Sequence, residues 1–171
     1  MQAIQRTLTL AATAALLAFG GALAHASDSA PAAPAAPAAT PPAHADKLAQ
    51  ARAQIAARNW SGALDELRRV NDSGSADWNN LMGFTLRKGK TPDLAGSEKY
   101  YDAALRIDPH HRNTLEYSGE LYLMKGDLPR AQGRLAALQA ECGGQCEQFT
   151  QLRTAIADYQ AHGNKFVSTG W

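Results

Sequence analysis

The segment 113–140 limits the fold more than any other part of the chain. It contains two helix-length stretches, 113–125 and 128–140, in which apolar and small residues recur every three or four positions. That spacing places those residues on one face of each helix. A glycine-aspartate pair separates the stretches, and neither is apolar enough to fold alone. We therefore expect an antiparallel helical hairpin, with the small residues Gly119 and Ala131 where its helices cross.

The same pattern extends over most of the chain. The other helix-length stretches lie around 48–55, 63–70, 78–86, 94–107 and 149–159. Thr91, followed by Pro92, is expected to cap the fourth helix. No stretch shows the alternation of a strand, so the sequence predicts an all-α fold of seven helices, six of them in antiparallel pairs.

The second pair repeats the third at matching positions. Gly83 precedes Gly119 by 36 residues, and Ser97 stands where the third pair has Ala131. The third pair carries its pattern at Leu115, Gly119, Tyr122, Gly126, Leu128, Ala131, Leu135 and Leu138. On these residues the sequence resembles the tetratricopeptide-repeat family over 46–140, whose period is about 34 residues.

The resemblance implies a short helical-hairpin solenoid of about three repeats. The first pair departs from the pattern, with Lys47 and Gln50 at positions that are usually apolar, as an end cap would. Residues 145–160 are similar to the solvating helix that closes such arrays. Within the family, the chain looks like small exported bacterial members that have a C-terminal two-cysteine turn.

The N-terminus predicts export. Arg6 precedes an uncharged apolar run, and Ala24-His25-Ala26 has the small-x-small pattern of a cleavage site. Residues 1–26 are therefore interpreted as a signal peptide cut after Ala26, giving a periplasmic or secreted protein with no membrane insertion after cleavage. The alternative is a membrane anchor, but its apolar run is shorter than the ~20 residues that a spanning helix needs.

The remaining boundaries follow from composition. Residues 27–45 are rich in proline and alanine and predict a disordered linker, with a tether as the alternative interpretation. The helical domain is expected over 46–162 and a flexible tail over 163–171. Removal of 1–26 leaves 16 basic and 16 acidic residues. A protein with balanced charge lacks the strongly positive surface that nucleic-acid binding requires.

Cys142 and Cys146 lie four residues apart in the exported part of the chain. In an oxidising compartment they are expected to form a disulfide, worth about 2 kcal/mol by loop-closure entropy. A thiol-redox or copper(I) site is the alternative, since two soft thiolates can hold a metal. The adjacent residues His110 and His111 are expected to lie in a solvated loop. The alternative is that they bind a metal ion weakly.

The resemblance also implies which residues contact a partner, because the first helix of each pair lines the concave surface. The positions carried over are Asn80, Phe84, Arg87, Lys88, Glu116, Glu120 and Met124. Phe84 is expected either to anchor a partner or to pack against the next repeat. Glu116 and Glu120 could receive a basic partner, although a solvated stripe is the favoured interpretation. Leu48 and Leu81 replace two residues of the family's carboxylate clamp, which argues against recognition of a C-terminal carboxylate.

The sequence contains no arrangement typical of an enzyme. It has no matched nucleophile, histidine and carboxylate, no phosphate-binding glycine loop and no His-Glu-x-x-His helix. The prediction is a protein-protein interaction module without cofactor or metal, binding a protein or peptide in the concave groove. The alternatives are a metal- or redox-handling protein using Cys142 and Cys146, or a structural subunit of an envelope complex. The partner and the oligomeric state stay open.

Overall fold

A computed structural model describes residues 46–166. The signal peptide and linker predicted at 1–45, and the end of the predicted tail at 167–171, lie outside the described residues. Within 46–166 the fold is all-α and contains no strand. Its seven helices are α1 (Ala49–Ala56), α2 (Trp60–Val70), α3 (Ala76–Lys88), α4 (Leu94–Ile107), α5 (Arg112–Met124), α6 (Leu128–Cys142) and α7 (Glu147–Ala161). The all-helical prediction and the number of helices are confirmed for this part of the chain.

Five of the helices begin at a side chain that accepts a hydrogen bond from a backbone amide of the first turn. These caps are Asn59, Ser75, Asp93, His111 and Asp127. Such bonds satisfy amide groups that have no partner inside the helix. The prediction that Thr91 caps α4 is wrong. The residue before the helix is Asp93, two positions after Thr91, and its side chain accepts from the amide of Gly96.

The helices are arranged in two ways at once. Each helix packs against the next one in sequence, which produces hairpins, and the odd-numbered helices also contact one another as α1–α3, α3–α5 and α5–α7. The odd-numbered helices therefore form a continuous row, which we call the inner row. Two clusters of buried apolar side chains fill the interior, one around Leu67 and Trp78 and one around Leu138 and Leu152.

Two helical glycines lie where another helix approaches closely. A Cβ added to Gly83 would lie 2.7 Å from ring atoms of Tyr101 on α4, and one added to Gly119 would lie 2.5 Å from Leu152 on α7. Gly83 thus lies at the crossing within its own hairpin. Gly119 differs from the prediction, because the atoms nearest to it belong to α7 and not to its hairpin partner α6.

The C-terminal end of the domain is closed by α7. Cys142 ends α6, Cys146 directly precedes α7, and the two are joined by a disulfide across a Cα–Cα distance of 5.7 Å. Phe166 packs against the C-terminal cluster, in the segment where the sequence predicts a flexible tail. Among residues 46–166, no helix is both long and apolar enough to cross a membrane.

Candidate binding cavity

A cavity of about 370 Å³ opens on the inner row. Three helices, α3, α5 and α7, supply its walls, with aromatic, charged and amide side chains. The lining residues are Phe84, Arg87, Lys88, Asn113, Glu116, Tyr117, Glu120, Glu147, Gln148 and Gln151. Its volume falls within the range of small-molecule pockets, and its mixture of apolar faces and convergent polar groups is typical of binding sites.

An ion pair joins two walls of the cavity. The guanidinium of Arg87 on α3 donates to a carboxylate oxygen of Glu120 on α5 at 2.6 Å, and the arginine side chain is 2% exposed. The same guanidinium lies 5.7 Å from the ring centroids of both Phe84 and Tyr117. Contacts at this distance allow cation–π attraction. The pair thus fixes the position of α3 against α5 beside the cavity.

Three aromatic rings form a ladder from the first hairpin to the third. The centroids of Trp60 and Phe84 are 6.2 Å apart, and those of Phe84 and Tyr117 are 4.7 Å apart. Both separations lie in the range preferred by aromatic pairs. Phe84 therefore packs against the neighbouring hairpins, which was one of the two alternatives, and it also lines the cavity. Its role as an anchor for a partner stays a prediction.

Glu116 is the most unusual group in the cavity. Its side chain is buried, with a relative exposure of 4%. Burial raises the pKa of its carboxyl to about 8, with a further contribution from Glu120, while Arg87 acts in the opposite direction. The structure shows no hydrogen bond or ion pair to this carboxyl from any residue of 46–166. The carboxyl lines the cavity and its oxygens are not sealed from it, so a ligand that enters the cavity can bond to them directly.

Helix α7 supplies three cavity residues that the sequence did not indicate. Gln148 donates to the side-chain oxygen of Asn113 at 2.7 Å, and Gln151 donates to Glu147 at 2.8 Å. The first bond fixes α7 to the start of α5. The polar residues 147, 148 and 151 share one face of a helix, a signal present in the sequence, but that helix was interpreted only as a solvating cap.

Of the seven residues predicted to line a groove, the structure brings five together. These are Phe84, Arg87, Lys88, Glu116 and Glu120. Asn80 is buried, and its side-chain oxygen accepts from the hydroxyl of Thr114, so it links α3 to α5 inside the protein. Met124 is half-buried near the end of α5 and does not line the cavity. The favoured interpretation of the two glutamates as a solvated stripe is wrong, because one is buried and the other is paired with Arg87.

The two adjacent histidines have different environments. His111 accepts from the amide of Thr114 through Nδ1, and its Nε2 lies 3.0 Å from a carboxylate oxygen of Asp77 on α3. His110 lies 2.5 Å from a carboxylate oxygen of Glu141. The prediction that both are solvated loop residues therefore holds for His110 but not for His111, which is half-buried. Among residues 46–166, no three His, Cys, Asp or Glu side chains are grouped so as to hold a metal ion.

Comparison of the chain with family models, with characterised proteins and with solved structures gave no match in any of the three. The interpretation of the cavity therefore rests on its own residues. They supply a half-buried aromatic surface, a neutralised arginine and a buried carboxyl without a partner. That combination suits a ligand with both apolar and hydrogen-bonding groups.

Proposed function

We propose that this protein is an exported interaction module, periplasmic or secreted, that binds a segment of another protein in the cavity of a short tetratricopeptide-type solenoid. The 36-residue spacing of Gly83 and Gly119 supports the repeat, as does the inner row formed by α1, α3, α5 and α7. The apolar run before Ala26 supports export.

One observation carries the binding proposal. The cavity is built from three successive helices of the inner row, and it exposes part of Phe84 and Tyr117 next to charged groups. Aromatic and arginine side chains in a partly enclosed pocket are the residues that most often dominate the energy of a protein interface. A peptide segment supplies the mixture of apolar and polar groups that such a surface recognises.

The test compares two aromatic truncations. Phe84→Ala removes the ring that lines the cavity, and Tyr100→Ala removes a ring on α4 that packs on Trp78 and does not line it. Proteins captured from a periplasmic extract by wild type are identified by mass spectrometry, and the affinity of each purified partner is then measured by calorimetry. We expect Phe84→Ala to weaken binding at least about 10-fold, roughly 1.4 kcal/mol, and Tyr100→Ala to leave it unchanged.

Circular dichroism establishes that both variants keep their helical content before binding is compared. Equal affinity of the partner for wild type and Phe84→Ala would show that the cavity is not the binding surface.

The rival function uses Cys142 and Cys146 for metal or redox chemistry. In the structure these two sulfurs are joined in a disulfide, which favours a structural role for the turn between α6 and α7. Intact-mass spectrometry of the protein from its native compartment separates the two functions. A mass about 2 Da below that of the dithiol supports the disulfide, whereas free thiols carrying copper or zinc support the rival.

A further inference from the structure

The buried carboxyl of Glu116 indicates what the cavity binds. This side chain lines the cavity at 4% exposure, and among residues 46–166 no donor reaches its oxygens. Its neighbour Glu120 has Arg87 as a partner at 2.6 Å. Glu116 therefore differs from Arg87 and Glu120, which pair with each other, because none of the residues 46–166 pairs with it.

The charges around Glu116 favour a cation. The groups that act on its carboxyl are Glu120, Arg87 and Glu147, and the charge of Arg87 is already compensated by Glu120. Lys88 lines the same cavity, but the charged groups that act on it are Arg87, Glu120 and Arg58. The remaining charges close to Glu116 are negative. They are the charge of Glu147 and that of Glu116 itself when it is ionised.

We propose that the bound segment presents a lysine or arginine whose charged end pairs with Glu116, while its aliphatic stem lies along Phe84 and Tyr117. The inference rests on the proposed function and specifies the chemistry of its ligand. Long basic side chains pack their methylene groups on apolar surface and leave their charge free for a partner. A charge-assisted hydrogen bond to a carboxylate is about twice as strong as one between neutral groups.

The pairing is linked to pH. Arg87 and Lys88 face the cavity from α3, Tyr117 and Glu120 from α5, and Glu147 from α7. The pKa of about 8 keeps Glu116 largely protonated near neutral pH in the free protein. A bound cation stabilises the carboxylate, so binding displaces the proton to solvent, and affinity rises as pH increases from about 7 to 9 while lysine stays charged.

The experiment uses two probes that differ by one charge. One is an acetylated and amidated alanine pentapeptide with lysine at its centre, and the other has norleucine in place of lysine. Binding to the full chain is measured by NMR at about pH 8.5, and the carbon signal of the Glu116 carboxyl, assigned with Glu116→Gln, gives its pKa with and without peptide. We expect the lysine peptide to bind at least about 10-fold tighter and to lower the pKa of Glu116 by at least about one unit.

The variants make the result specific. Glu116→Gln should abolish the difference between the two peptides, whereas Glu66→Gln, which replaces a glutamate of α2 outside the cavity, should preserve it. Equal binding of both peptides to wild type, or no binding of either, overturns the inference. If both peptides bind wild type equally and both lose binding to Phe84→Ala, the inference about a basic side chain is overturned, but the cavity is still a peptide site. Failure of Phe84→Ala to weaken an identified partner overturns the proposed function instead.

Discussion

Arg87 on α3 and Glu120 on α5 form an ion pair that joins the second hairpin to the third, with only 2% of the arginine side chain and 13% of the glutamate side chain exposed. A buried charge is costly unless it is compensated, so each partner makes the other tolerable. The arrangement also settles the role of Arg87. It cannot reach out to an anionic ligand without giving up the carboxylate that neutralises it.

Glu120→Gln should therefore destabilise the protein by about 3–5 kcal/mol, because it leaves the guanidinium of Arg87 buried without a countercharge. Urea unfolding followed by circular dichroism measures the change. Replacing both partners, as Arg87→Met with Glu120→Gln, should cost less than the single change. A double variant that is as unstable as the two single changes added together would show that the pair is not coupled.

The pKa of Glu116 predicts an unusual dependence of stability on pH. Its folded-state value of about 8 lies above the ordinary value of 4.5, so the folded protein holds a proton that the unfolded chain has released between these two values. The contribution of Glu116 to the free energy of unfolding must then fall as pH rises from about 4.5 to about 8, by at most about 1.4 kcal/mol per pH unit.

Glu116→Gln removes this dependence. The free energy of unfolding of wild type, minus that of the variant, should decrease steadily between about pH 4.5 and pH 8. At about pH 8.5 the variant should be the more stable protein. Unfolding at about pH 5 and pH 8.5 measures the difference. A constant difference between the two proteins would mean that Glu116 ionises normally in the folded state.

Three helical glycines provide a matched test of close packing. Gly83→Ala and Gly119→Ala would place a methyl group against Tyr101 and Leu152, respectively, and each should destabilise by about 1–3 kcal/mol. A Cβ at Gly133 on α6 meets nothing within 4 Å. Gly133→Ala should instead stabilise by about 0.5–1 kcal/mol, since alanine is the better helix former. Thermal unfolding ranks the three, and destabilisation by Gly133→Ala would contradict this explanation.

The adjacent histidines should respond differently to the same substitution. His111→Ala removes the side chain that accepts from the amide of Thr114 at the start of α5, and the loss of such a cap costs about 1 kcal/mol. It also removes the hydrogen bond that holds the pKa of Asp77 below its usual range, so that pKa should rise. His110→Ala should leave the melting temperature unchanged. Equal effects of the two changes would argue against the capping role.

The helices were predictable because their signal is local. Apolar residues spaced three and four apart, and interruptions such as Gly126-Asp127, gave the number and order of the helices before any contact was known. Cap positions were less predictable. Asp93 takes the place expected for Thr91 because its carboxylate reaches the amide of Gly96, a choice between nearby polar residues that periodicity does not make.

The cavity was predictable only in part. Position within the repeat identified Phe84, Arg87 and Lys88, since residues one turn apart share a face of α3. The surroundings of Glu116 were not predictable, because they include α7, which packs on α5 through contacts such as that of Gln148 with Asn113, 35 positions apart in the chain. Asn80 shows the converse. Its position in the repeat suggested exposure, yet it is used for a hydrogen bond between adjacent helices.

The cavity depends on the docking of the last helix, α7. Glu147, Gln148 and Gln151 reach the site only when α7 docks on α5, and the disulfide ties the start of α7 to the end of α6. Opening of such an end helix is the lowest-energy fluctuation expected of a short array. A molecule in which α7 is clipped or frayed would lose one wall of the cavity, so the shape of the cavity depends on the last helix being closed onto the array.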